Sequence, residues 1–120
     1  MGGQMNGICH IEIPSKDFGK AKKFYGNVFN WQFDEAKEMN FLTFKTPDGV
    51  NGGFSRTLEI AQKPGIVFYI EVASIDETIK KTEEVGGKCS VGKTQISSEL
   101  GYFAMLSDLE GNTIGLWSKN

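Results

Sequence analysis

One strand is written twice in this chain. ICHIEIP (Ile8 to Pro14) returns as VFYIEVA (Val67 to Ala73), with His10 in the first copy standing where Tyr69 stands in the second. A second pair, FLTFKTPDGVNGGFS and FAMLSDLEGNTIGLW, aligns without a gap and matches Phe41 with Phe103, Phe44 with Leu106, Asp48 with Glu110, Gly49 with Gly111 and Gly53 with Gly115. A repeat of this length constrains the fold strongly, because each copy is one supersecondary unit that cannot bury its apolar face alone. Between the matched strands each half carries a helical pattern. In the first, Asp17 can cap a helix whose apolar positions Phe18, Ala21, Phe24, Tyr25 and Val28 recur at three and four residues. In the second, Ser74 or Asp76 can cap, Ile75, Ile79, Thr82 and Val85 follow, and Gly86-Gly87 ends the helix. The turns TPDGV and DLEGN each use glycine, for which a positive φ is cheap. The pattern therefore predicts βαβββ twice. It is an α+β domain spanning 1–120, with module one at about 6–56, module two at about 65–118 and a polar linker, Arg56 to Gly65, between them.

The whole-chain properties exclude several classes. A net charge of −2 with no basic stripe gives no electrostatic footprint for nucleic acid, and the densest basic run, KDFGKAKK, has the spacing of a solvated helix face. The N-terminal MGGQMNGICH has neither the basic start nor the apolar run of a signal peptide, and the apolar run IVFYI is too short to span a bilayer. Cys9 and Cys89 are isolated, each in an expected strand, and read as small buried hydrophobes. A cytoplasmic location is expected. GKCSVGKT (Gly87 to Thr94) matches the phosphate-loop pattern letter for letter, but its first glycine ends a helix and KCSV reads as a strand. The loop works only when a helix N-terminus follows it, so the match is coincidental. HIE (His10 to Glu12) echoes the zinc deaminases, whose second half, P-C-x-x-C, is missing.

Three stretches in order, HIEIPSKDFGKAKKFYGNVFNW, DETIKKTEEVGGK and GYFAMLSDLEGNTIGLW, give the chain a family resemblance over essentially its whole length. It resembles the glyoxalase / bleomycin-resistance / extradiol dioxygenase superfamily, the vicinal oxygen chelate fold, and within it the small bacterial proteins related to lactoylglutathione lyase. The resemblance implies a cupped mixed sheet with the helices on its outer face. It also implies a homodimer in which modules pair between chains, and a small-molecule site inside the cup. Metal-dependent relatives bind a divalent ion through the first and last strands of each module, positions held here by His10, Gly53, Tyr69 and Gly115. Glycine has no ligating atom and a neutral phenol is a poor ligand, whereas a catalytic metal site wants about three protein ligands. The expectation is therefore no metal and no cofactor.

Strand alternation sorts the faces. Cys9, Ile11 and Ile13 oppose Ile8, His10 and Glu12, and Phe68, Ile70 and Val72 oppose Val67, Tyr69 and Glu71. The apolar sets must meet the helices, which leaves His10, Glu12, Tyr69 and Glu71 on the cup face. Two readings follow. In the first, an enzyme with lyase- or isomerase-like chemistry uses His10, Glu12 and Glu71 as acid–base groups, the carboxyls primed by burial. A divalent metal held by the same three side chains is a variant of it, available if the two first strands run side by side. In the second, a drug- or metabolite-sequestering protein of the bleomycin-resistance type stacks a flat ligand on Tyr69 and Trp117, with Gly53 and Gly115 leaving room at the cup floor.

Overall fold

The computed structural model describes residues 5–34 and 40–120; the first four residues of the N-terminal stretch lie outside them. Module one runs β1 (Ile11–Pro14), α1 (Phe18–Phe29), β2 (Gln32–Asp34), β3 (Phe41–Lys45) and β4 (Gly52–Ser55). Module two runs β5 (Tyr69–Glu71), α2 (Ile75–Glu84), β6 (Lys88–Ser97), β7 (Gly101–Ser107) and β8 (Thr113–Ser118). The order βαβββ occurs twice, as the repeat requires. The sheet topology repeats as well: β1-β4-β3-β2 in one module and β5-β8-β7-β6 in the other, with the first strand parallel to the last and the remaining pairs antiparallel.

Local chemistry explains the element ends. Asp17 caps α1 by accepting the Gly19 amide at 2.9 Å, and Asn30 closes it in the left-handed region at φ 61°, where a short polar side chain is tolerated. Of the two caps considered for α2, Ser74 is the one used: its hydroxyl accepts the Glu77 amide at 3.1 Å. Gly86, at φ 99°, then turns the chain out of the helix. The phosphate-loop match falls inside β6, a ten-residue strand, so no helix N-terminus follows it.

Two expectations are corrected, the extent of the first strand and the burial of Cys9. The first strand is shorter than its apolar run, because only Ile11 onwards pairs with β4. Ile8, Cys9 and His10 lie ahead of it and are exposed. Cys9 is thus an exposed free thiol rather than a buried hydrophobe, while Cys89 is half-buried. The mixed sheet is built of two four-stranded parts, with β1 and β5 each on the edge of its own part and no ladder between them among the described residues. Among the described residues no helix is long and apolar enough to cross a membrane.

The helix-facing sides of both sheets share one core. Phe24, Tyr25, Val28, Trp31, Leu42, Phe44 and Phe54 from module one join Ile75, Ala104, Leu106, Ile114 and Leu116 from module two. An aromatic stack, Phe44 on Trp31 on Tyr25 with centroids 4.4 and 4.8 Å apart, fills the centre of module one. Polar groups then bolt the modules together at the turn Asp108–Asn112. The fully buried Tyr25 donates its hydroxyl to Asp108 Oδ2 at 2.8 Å. Glu110 accepts from Ser15 Oγ at 2.5 Å and from the Lys16 and Asp17 amides at 2.7 and 3.0 Å, which puts a carboxylate at the N-terminus of α1. Asn112 Nδ2 donates to the Pro14 carbonyl at 2.8 Å.

Hydrogen bonds to a charged acceptor are each worth about 1.5–3 kcal/mol. Glu110→Ala should therefore lower stability by about 2–3 kcal/mol in urea unfolding. Asp48→Ala, at the matched position of module one, should change it by less than about 0.5 kcal/mol, as for an ordinary surface site. Burial, and then the charges of Asp108 and Glu110, push the Tyr25 hydroxyl well above the usual tyrosine range. An unfolded tyrosine loses its proton near pH 10. Above that pH the unfolded chain binds fewer protons than the folded one, so stability falls as pH rises. Tyr25→Phe should cost about 1–3 kcal/mol at neutral pH. It should also remove part of the alkaline decline, which urea midpoints measured from pH 8 to pH 11 for both proteins will show.

Candidate functional site

Each sheet has one face turned from the core, and the repeat makes the two faces comparable. On the first, register places Glu12 beside Gly53, and Gly53 beside Thr43. His10, just ahead of β1, brings Nε2 to 3.4 Å from Glu12 Oε2, and its ring stacks on Phe41 with centroids 6.1 Å apart and planes 15° apart. The two expected working groups do meet, at ion-pair distance. Their side chains stay 45% and 44% exposed, so the pair is screened by solvent and holds little energy.

On the second face Tyr69 pairs with Gly115 and Glu71 with Trp117, while β7 sets Phe103 beside Trp117 and Met105 beside Gly115. Trp117 is held by its ring nitrogen, which donates to the Leu100 carbonyl at 2.7 Å. Tyr69, Ile96, Phe103 and Trp117 line a hollow of about 420 Å³. Tyr69 remains 53% exposed and Ile96 45%, a costly arrangement for apolar groups unless something covers them. Phe103 and Ile96 were not singled out from the sequence. Phe103 was visible only as the repeat partner of Phe41, and Ile96 belongs to the stretch whose motif match drew attention elsewhere.

The glycines do not leave the room expected of them. A Cβ on Gly53 would strike the ring of Phe41, and one on Gly115 the ring of Tyr69, so each aromatic already lies across its glycine. The same geometry bears on whether the described residues fit a metal. Two of the four ligand positions are glycines roofed by rings, and no group of three or more His, Cys, Asp or Glu side chains among the described residues is placed to hold an ion. Among the described residues the donor set does not fit a metal. Glu71, proposed as the third working group, does not form such a cluster with His10 and Glu12. It lies instead on the edge strand β5, lining a separate cavity with Asp48.

Comparison with known proteins agrees with this architecture. A "Glyoxylase-like domain-containing protein" of Didymella fabae is 32% identical over 118 residues, covering 92% of this chain and 90% of that protein. Among solved structures, a genomically encoded fosfomycin resistance protein, FosX, from Listeria monocytogenes superposes with a TM-score of 0.79 at 16% identity, covering 98% of this chain and 96% of that one. A glyoxalase/bleomycin resistance protein/dioxygenase family enzyme from Burkholderia phytofirmans PsJN gives 0.76 at 17% identity, covering 92% and 97%. At those identities the structural likeness speaks for the fold. Residues 7–116 match the family model outright, and with two βαβββ modules and the relative above the chain belongs to the Glyoxalase/Bleomycin resistance protein/Dioxygenase superfamily.

Proposed function

We propose that this protein binds a small, flat, largely apolar molecule on the open face of its second sheet, without a metal. The observation that carries the reading is the hollow formed by Tyr69, Ile96, Phe103 and Trp117: three aromatic rings held by β-sheet register and one aliphatic side chain, with Tyr69 and Ile96 exposed and Phe103 and Trp117 half-buried. Rings fixed on a strand offer stacking area at little entropic cost. Drug or metabolite sequestration, the bleomycin-resistance style of function, suits such a platform. Two copies of the chain, modules paired between them, would lay the His10–Glu12 face over this platform and enclose the ligand. Ile8 and Leu100, 79% and 61% exposed, would lose water in that pairing. The two free cysteines suit a reducing, cytoplasmic setting.

A second reading rests on the His10–Glu12 pair, since an imidazole oriented by a carboxylate is the usual form of a proton-transfer group. In a paired assembly it would face the bound molecule and move a proton at an acidic C–H, giving lyase- or isomerase-like chemistry.

Titration with the fluorescent probe N-phenyl-1-naphthylamine should show saturable binding. Trp117→Ala and Phe103→Ala should each weaken it about tenfold, equivalent to about 1.4 kcal/mol. Unchanged affinity in both would refute the platform. His10→Gln should leave probe affinity within about twofold. The second reading further expects wild type to exchange the α-protons of a bound methyl ketone with solvent faster than His10→Gln does, and equal rates would remove it.

A further inference from the structure

The two modules close differently at matched places. In module two the turn Asp108–Asn112 is bonded onto the junction of β1 and α1 through Glu110 and Asn112. The matched turn of module one, Thr46–Asn51, turns its side-chain bonds inward, the Thr46 amide to Asn51 Oδ1 at 2.9 Å and the Thr46 hydroxyl to the Val50 carbonyl at 3.1 Å, and reaches β1 only through the backbone, where the Asn51 carbonyl accepts the Ile11 amide at 3.2 Å, among the described residues. Asp48 stands where Glu110 stands, one methylene shorter, and finds no ion pair or hydrogen bond among the described residues. A cavity of about 630 Å³ opens between this turn, the end of α1 and the edge strand β5. That volume is in the range of small-molecule sites.

The lining has a definite chemistry. Phe29, Trp31, Phe44, Pro47, Ile70 and Val72 supply apolar walls, and Asp48 and Glu71 are its charged groups. No Lys, Arg or His lines it among the described residues. Glu71, like Asp48, is without an ion pair or hydrogen bond there. The strand adds acceptors. Phe68 accepts from the Gly115 amide and Val72 donates to the Trp117 carbonyl, so both turn toward β8. The alternate residues Tyr69 and Glu71 then turn their backbone groups to the unpaired edge, on the cavity side. Two uncompensated carboxylates and two carbonyls beside apolar walls complement a cation with a hydrophobic body.

We propose that this cavity is a second binding site, adjoining the aromatic platform at Tyr69, which lines both, for an amphipathic organic cation: a primary or secondary ammonium carried on an aromatic or aliphatic body of about 10–20 heavy atoms. The body packs against Trp31 and Phe29, and the ammonium is held between Asp48 and Glu71. Trp31 lines this cavity and Trp117 the platform, and they are the two tryptophans of the chain, so each site has its own fluorophore.

The test uses Trp117→Phe protein, in which Trp31 is the single emitter, titrated with 4-phenylbutylammonium and with its neutral isostere 4-phenylbutanol. The expected result is a saturable change in Trp31 emission with the ammonium, at least about tenfold tighter than with the alcohol. Adding Asp48→Asn and Glu71→Gln should erase that preference while leaving the melting temperature within a few degrees of the parent. Equal affinity for ammonium and alcohol, a preference that survives both substitutions, or no saturable response at millimolar ammonium would each overturn the proposal. Trp31 lines this cavity and not the platform, and the charge preference is read through Asp48 and Glu71, neither of which lines the platform, so failure here and failure of the platform reading are distinguishable.

Discussion

The carboxylate of Glu110 at the N-terminus of α1 is the contact on which the arrangement of the two modules depends. It takes three donors from module one, while Asp108 beside it takes the hydroxyl of a fully buried tyrosine. The apolar core joining the modules is broad but non-directional. These charge-assisted bonds have direction, and they fix where the β7–β8 turn lies against β1. That in turn sets the edges of both sheets and leaves the other faces of β1, β5 and β8 free for His10, Tyr69 and Trp117.

Much of this architecture can be read from the chain because a repeat acts at several levels together. Matched glycines mark matched turns, the apolar positions at three and four residues mark α1 and α2, and alternation in VFYIEVA assigns Ile70 to the core and Tyr69 to the open face. The places where reading failed share one cause, that pattern does not report pairing. ICHIEIP alternates from Ile8, yet β4 offers partners only from Ile11 onward, so Cys9 and His10 fall outside the strand. Gly53 and Gly115 correctly mark positions where no side chain fits. What fills the space is a neighbouring ring, Phe41 or Tyr69, and no spacing rule shows that. Glu110 looked like a turn residue because its partners lie more than ninety positions away in sequence.

The same repeat shows what duplication leaves free to change. Once Glu110 and Asp108 secure one junction, the equivalent junction at Asp48 is not needed for closure, and a cavity stands where the second clamp would be. The matched sheet faces have also diverged: a His–Glu pair stacked on Phe41 in module one, an aromatic hollow in module two. A chain built from two equal units thus presents unequal surfaces, and recognition is assigned to side chains rather than to the fold.

The central claim is recognition by an aromatic platform without a metal, and it is tested most directly by thermal unfolding with chelator and then with Mn²⁺, Fe²⁺, Ni²⁺ and Zn²⁺ in turn, for wild type and His10→Ala. With no fitting donor set, the melting temperature of both proteins should stay the same in every condition. A metal at a hundred times its dissociation constant would add about 2.7 kcal/mol, a rise of roughly 10 °C for a domain of this size. Such a rise in wild type that disappears in His10→Ala would contradict the account and place a metal at the His10 face.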